Sequence, residues 1–171
     1  WLGARRLARQ YRPNLVIASS TYPLDSLPAR RIARANLATL VHEVHDLWPL
    51  TPIELGGMSP YHPFIMLMQW AEHYAYRHSD RVVSMLPSAM NHLCDHGMAP
   101  HKFAYIPNGI VPEEWLQPDA PLPATHGDAM VRFHHEGRFI LGYLGGHALS
   151  NSLDTLIDAA DLLKDAPVEF V

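Results

Sequence analysis

The chain has 171 residues, enough for one domain or for two incomplete ones. Hydrophobic residues at 48% and charged residues at 18% exclude disorder over most of the chain and allow a sizeable core. A net charge of −4 argues against a general nucleic-acid binder, and no apolar run reaches the roughly 18 residues of a membrane span.

The one cysteine, Cys94, cannot form an internal disulfide, so a reducing compartment is the default. A zinc cluster built on cysteines is excluded on the same count. The opening WLGARRLARQ lacks the apolar core of a signal peptide, and its start without Met points to a longer chain. Charge is unevenly spread. Residues 1–34 hold seven Arg against one acid, Asp25, while residues 35–171 carry a balance of −10. That asymmetry suits either a face for an anionic surface or a pair of solvated helix faces.

In chain order, residues 2–11 read as an amphipathic helix with Leu2, Leu7, Ala8 and Tyr11 on its apolar side, stopped by Pro13. Leu15 to Ser20 is a short apolar run of the kind buried on both faces of a parallel sheet. Ser26 and Pro28 open a helix to about Ala35, and Leu37 to Val44 is a second buried strand ending in the loop His45-Asp46-Leu47-Trp48-Pro49. A loop over 51–63 leads to a helix from Phe64 to Arg77, with Glu72 and Arg77 away from a dense Met and aromatic face. Arg81 to Leu86 is a third strand. Ser88 caps a short helix with Ala89, Leu93 and Cys94 on its stripe, and Gly97 ends it. Cys94 reads as a core thiol. Lys102 to Ile106 is a fourth strand, closed by Pro107-Asn108-Gly109. Strands alternating with helices predict a parallel α/β sheet.

Residues 107–123 hold five of the fifteen prolines, which is a linker composition. Phe139 to Leu144 is again a buried strand, ending in Gly145-Gly146. A helix from Asn151 to Lys164 follows, with Asn151 and Asp154 resembling a capping pair, and Val168 to Val171 starts another strand. One β-α-β unit cannot cover both of its faces, so a second domain is entered and left unfinished. Neither repeats nor low-complexity segments appear.

Four places could carry chemistry. Strand, Gly145-Gly146 and helix start together suit a diphosphate, although neither GxGxxG nor a P-loop is present, and a plain tight turn is the alternative. The strand-end HDLWP places His45 and Asp46 where α/β ligand sites lie, with a structural, loop-bonded His45 as the alternative. His42 and His45 are three apart on a strand, so they are not a strand-borne metal pair, and HEVH is one residue short of a zincin motif. Asn108-Gly109 is first of all a turn. His134-His135-Glu136 has ligand-type residues without ligand spacing and reads as solvated. GxSxG is absent, so a nucleophile-elbow hydrolase has no support.

Taken in order, HDLWP (45–49), AYRHSDRVVSML (75–86), YIPNGI (105–110) and GYLGGHALSNSLDTLIDAA (142–160) resemble the retaining GT-B glycosyltransferases of family 4. The likeness is to the branch that builds lipopolysaccharide O-antigen and capsule, including N-acetylfucosamine transferases, and it runs over residues 13–171. It implies two Rossmann-like doubly wound parallel-sheet domains facing a cleft. Residues 1–110 would be the latter part of the acceptor domain, 111–138 a linker, and 139–171 the beginning of the donor domain. His45 and Asp46 would be catalytic. Gly145, Gly146, His147 and Asn151 would bind the donor, and Asn108 and Gly109 would line the interdomain cleft. Ala148 stands where relatives usually carry Gly. The implied donor is a nucleotide sugar of the UDP type, with no metal needed in that scheme and no other cofactor. The implied acceptor is polyprenyl-linked or a polysaccharide, which suits a cytoplasmic protein touching the inner face of an anionic membrane through its Arg-rich segment. The family's first Gly-rich loop should precede Trp1, and its E-x7-E pair should follow Val171, so the 171 residues are expected to be inactive alone. A catalytically inactive remnant or nucleotide-binding fragment, and a GT-B nucleotide-sugar epimerase, are the competing readings.

Overall fold

Four short parallel strands organise the first part of the chain. The computed structural model describes residues 2–19, 21–116, 121–148 and 151–171. It divides into two units, Trp1–Ile110 and Val111–Val171.

In the first unit α1 (Leu2–Tyr11) is followed by β1 (Leu15–Ser19) and a 3-10 turn at Pro23–Asp25. Next come α2 (Ser26–Asn36), β2 (Thr39–Val44), α3 (Leu50–Glu54) and α4 (Pro63–His78). β3 (Arg81–Ser84), α5 (Ala89–Asp95) and β4 (Phe103–Tyr105) complete it. The sheet order is β1-β2-β3-β4, parallel throughout. Local chemistry sets several boundaries. Pro63 occupies the first turn of α4, where its missing N–H costs nothing, and His62 Nδ1 accepts from the Phe64 N–H at 3.2 Å. Leu37 closes α2 in the left-handed conformation at φ 55°, and Gly97 follows α5 at φ 98°, where a Cβ would also crowd Arg77.

The helices bury one face of the sheet. Val16, Ala18 and Leu40 pack with Ala29 and Ala33 of α2. Val44 and Val82 pack with Ala75 and Tyr76 of α4 and with Ala89 and Leu93 of α5, and Cys94 and Leu47 join at the edge. The other face is more open, and Leu15 and Ile17 remain 51% and 55% exposed. β1 is therefore not buried on both faces among the described residues, because α2 covers the Val16 and Ala18 side while Leu15 and Ile17 lie on the other.

Four further expectations give way. On α1 the buried residues are Ala4 and Ala8, whereas Leu7 and Tyr11 are exposed, because close approach to α2 favours small side chains. On α4 the inward stripe runs Ile65, Met68, Glu72, Ala75 and Tyr76, while Met66, Leu67 and Trp70 face out. Glu72 thus lies inside, at 1% exposure, and not on a solvated face. The segment after Pro49 is not all loop, since α3 forms there, and Ser88 stands at the start of α5 without making a side-chain cap.

The second unit contains α6 (Pro112–Trp115), α7 (Ala124–His135), β5 (Phe139–Leu141), α8 (Leu153–Leu162) and β6 (Val168–Phe170). The segment 111–138, expected as a linker, therefore carries two helices, with Phe133 of α7 buried. β5 and β6 pair in parallel from Phe139↔Val168 to Leu141↔Phe170. Arg138 bridges Glu136 and Glu169, each at 3.1 Å.

Leu93 is fully buried among the side chains of α4 and β3. Leu93→Ala is expected to cost about 3 kcal/mol, read as a shift in the midpoint of urea unfolding with an unchanged slope.

Candidate functional site

The carboxyl ends of parallel strands are the natural ligand edge of an α/β sheet. In the first unit the registers Ser19↔Glu43, Val44↔Ser84 and Ser84↔Tyr105 bring those ends level. The Ser84 hydroxyl, fully buried, locks them. It donates to the Val44 carbonyl at 3.2 Å and accepts from the Leu86 N–H at 3.1 Å. His45-Asp46-Leu47-Trp48-Pro49 leaves the edge from β2, and Asn108-Gly109 leaves it after β4.

His45 lies 3.0 Å from the Ser19 hydroxyl and 3.4 Å from the Glu43 carboxylate, both measured from Nε2. A hydroxyl–imidazole–acid relay places its partners on opposite ring nitrogens. Here both meet the same nitrogen, so the trio orients an imidazole and does not build a serine nucleophile. The Ser19 hydroxyl and the His45 charge hold the Glu43 carboxyl below its ordinary range. Asp46 is exposed, and its carbonyl accepts from the Trp48 N–H at 3.1 Å. Trp48 meets Tyr22 and Phe64 edge-on at 4.9 and 6.2 Å, which fixes the loop's other flank. The Trp48–Pro49 peptide is cis. Asn108 Nδ2 reaches the Met85 sulfur at 3.8 Å, so the strand-end residues of β3 and β4 also meet.

Beneath the loop is a small enclosed cavity lined by Thr21, His42, Asp46, Trp48, Glu72 and Tyr76. His42 is 4% exposed, and its Nδ1 is buried without a hydrogen-bond partner among the described residues. Burial, and secondarily the charge of His45, push its pKa down to about 4. Burial, then the Glu72 carboxylate, push the Tyr76 hydroxyl far up, and Tyr76 donates to Glu72 at 2.9 Å.

In the second unit a loop follows β5. The Tyr143 hydroxyl donates to the Gly146 carbonyl at 2.8 Å, and the Asn151 amide donates to the Tyr143 hydroxyl at 2.9 Å and also to Gly146. A Cβ on Gly145 would lie 2.7 Å from the Tyr143 hydroxyl, so the clasp closes only over glycine. The expected Asn151–Asp154 capping pair does not form. Ser152, at φ 47°, is the N-cap of α8 without a side-chain cap bond, and Asn151 serves the loop. Asp154 puts a negative charge in the first turn of α8, which opposes an anion there. Gly146, His147 and Ala148 are exposed, and His147 and Ala148 border a largely apolar groove with Leu153, Ile157 and Phe170.

One cluster escapes the sequence reading. Glu72, His92 and His96 bring potential metal-ligand atoms within 4.8 Å of one another. The signal was present, since His92 and His96 are four apart, within α5 and at its C-terminal cap, which brings them to one side. It needed the inward turn of Glu72 to become visible.

The two units are thus parallel α/β layers whose site residues stand at strand ends and on the strand-to-helix turn, the class to which GT-B glycosyltransferases belong. The family model for the glycosyl transferase 4-like domain matches residues 1–109, and the chain belongs to that family. Similar solved structures include HepE from Anabaena in three complexes. With UDP and glucose the TM-score is 0.64 at 14% identity, covering 98% of this chain and 41% of that one. With UDP the values are 0.59, 12%, 98% and 50%. With UDP-glucose they are 0.53, 13%, 100% and 53%. At such identities the likeness is one of fold, and the chain spans about half of those proteins or less. No curated protein matches the sequence.

Because the unfolded chain protonates His42 near pH 6.5 and the folded chain only near 4, acid favours the unfolded state between these values. Stability is expected to be complete above pH 6.5 and to fall by up to about 3 kcal/mol as pH drops toward 4. Urea unfolding at several pH values should show a shallower acid loss for His42→Gln than for the unmodified chain.

Proposed function

We propose that the chain is part of a retaining glycosyltransferase. It moves a sugar from a nucleotide-sugar donor of the UDP class to a polyprenyl-linked or polysaccharide acceptor during cell-surface polysaccharide synthesis, within the O-antigen and capsule branch. The observation that carries this reading is the family match over residues 1–109, which spans HDLWP and the strand-end Asn108-Gly109. The complexes of HepE with UDP and with UDP-glucose support a UDP-type donor.

In this reading His45, held by Ser19 and Glu43, positions the transferred sugar or the acceptor hydroxyl, and Asp46 stands beside it at the open edge. The backbone N–H groups of Gly145 and Gly146 face the leaving diphosphate. The charge of Asp154 makes those glycines, more than the start of α8, the diphosphate contact. His147 borders the same ligand, Asn151 shapes the loop through Tyr143 and Gly146, and Asn108 and Gly109 line the cleft. Because the chain spans about half of HepE or less, the 171 residues alone are expected to be inactive.

His45→Ala in the complete enzyme is expected to lower kcat about 10²-fold in a donor-to-acceptor transfer assay. Near-normal turnover would remove His45 from the mechanism. A product assay that finds free epimerised nucleotide sugar would favour the epimerase reading instead.

The acceptor's lipid suggests a use for the basic segment. Arg5, Arg9 and Arg12 of α1 and its end lie with Ala35 and Asn36 around one groove, and Arg30, Arg31 and Arg34 of α2 lie along the next. Arg30 is partly committed, since it donates to the Tyr74 hydroxyl at 2.8 Å. Each well-placed Arg contributes about 1 kcal/mol toward an anionic leaflet. Sedimentation with vesicles is expected to show binding to anionic lipid that salt weakens. Equal binding to neutral vesicles would refute the contact.

A further inference from the structure

Glu72 is a carboxylate at 1% exposure. It accepts from the Tyr76 hydroxyl at 2.9 Å, from the Gln69 amide, and from His92 Nε2 at 3.1 Å. Two of these donors are neutral. A buried carboxylate is ordinarily matched by a cation or a metal ion. Apart from imidazoles, no cationic side chain is bonded to it among the described residues.

The surrounding imidazoles are arranged for ligation. His92 of α5 and His96, the residue that caps its C-terminal end, have ring centroids 4.0 Å apart. His96 Nδ1 stands 2.7 Å from the His92 carbonyl oxygen, which can only accept. In the neutral ring Nδ1 then carries the proton and Nε2 the lone pair, the form stabilised when a ligating histidine donates its other N–H to a carbonyl. His92 Nε2 and Glu72 Oε1 are 3.1 Å apart, close to the roughly 3.3 Å expected between two ligands of a tetrahedral zinc ion. His73, on α4 beside Glu72, stacks at 5.6 Å from His96.

We propose that Glu72, His92 and His96 form a binding site for a divalent transition metal of the zinc class. The carboxylate and two imidazoles supply three ligands, and water or His73 takes the fourth position. Entry of the ion displaces the proton that His92 Nε2 shares with Glu72. The ion braces α4 against α5. Glu72 also lines the cavity under the 45–49 loop, so the brace acts on the floor of the strand-end site without entering it.

The test is titration of the untagged full chain with Zn²⁺ by calorimetry, and with Co²⁺ by visible absorption. One equivalent is expected to bind, with a raised Tm and, for Co²⁺, the intense visible bands of a tetrahedral ion. His96→Ala, at a half-buried position, and His92→Gln are each expected to weaken binding at least tenfold while circular dichroism stays unchanged. Absence of binding at neutral pH overturns the proposal. So does binding that both variants retain, which would assign the ion to other histidines of the chain, such as His134 and His135. A variant that loses its fold is replaced by Glu72→Gln, whose failure to weaken Zn²⁺ binding would count equally against the site.

Discussion

Parallel pairing of β1 to β4 is the constraint on which the rest of the first unit depends. Parallel strands cannot be joined by hairpins, so each connection carries a helix back across the sheet. All the strands then end at one edge, and the chain must leave that edge four times. His45, Met85 and Asn108 follow the ends of different strands, yet the registers through Val44, Ser84 and Tyr105 make them neighbours. Ser84 matters out of proportion to its size because its hydroxyl satisfies β2 and the exit of β3 together.

The helix α4 shows how polar chemistry enters this core. Its buried stripe includes a glutamate between Met68 and Tyr76, and the neighbouring turns supply donors to it. One end of the carboxylate's surroundings is the imidazole pair of α5, and the other is the cavity under Trp48. Core packing and the strand-end site therefore share one charged group. His42 is held close by, neutral because of its burial and beside Tyr76 at 5.8 Å.

Much of the fold was legible in the sequence because apolar runs and turn residues carry the information locally. LVIAS, TLVHEV and RVVS are strands, and Pro63 and Gly97 mark real ends. What was not legible depends on partners distant in sequence. Which side of α4 turns inward is decided by α5 and by β2 and β3, so the apolar-looking Trp70 and Met66 lie outside while Glu72 lies inside. The exposure of Leu15 and Ile17 depends on which elements cover each face of the sheet, which no strand encodes by itself. At the candidate site, HDLWP and Asn108-Gly109 could be placed at strand ends from pattern alone. The Ser19 and Glu43 contacts of His45 could not, because they need the β1–β2 register. Likewise Asn151 looks like a cap in sequence, and only the Tyr143 clasp shows its work.

The clasp over Gly145 sets how far the loop after β5 can vary. One phenol closes it, donating to the Gly146 carbonyl and accepting from the Asn151 amide. A methyl group at position 145 would meet that hydroxyl at 2.7 Å, whereas at position 146 it would meet nothing within 4 Å. The two adjacent glycines are therefore held by different constraints, and a side chain is sterically tolerated at the second and not at the first.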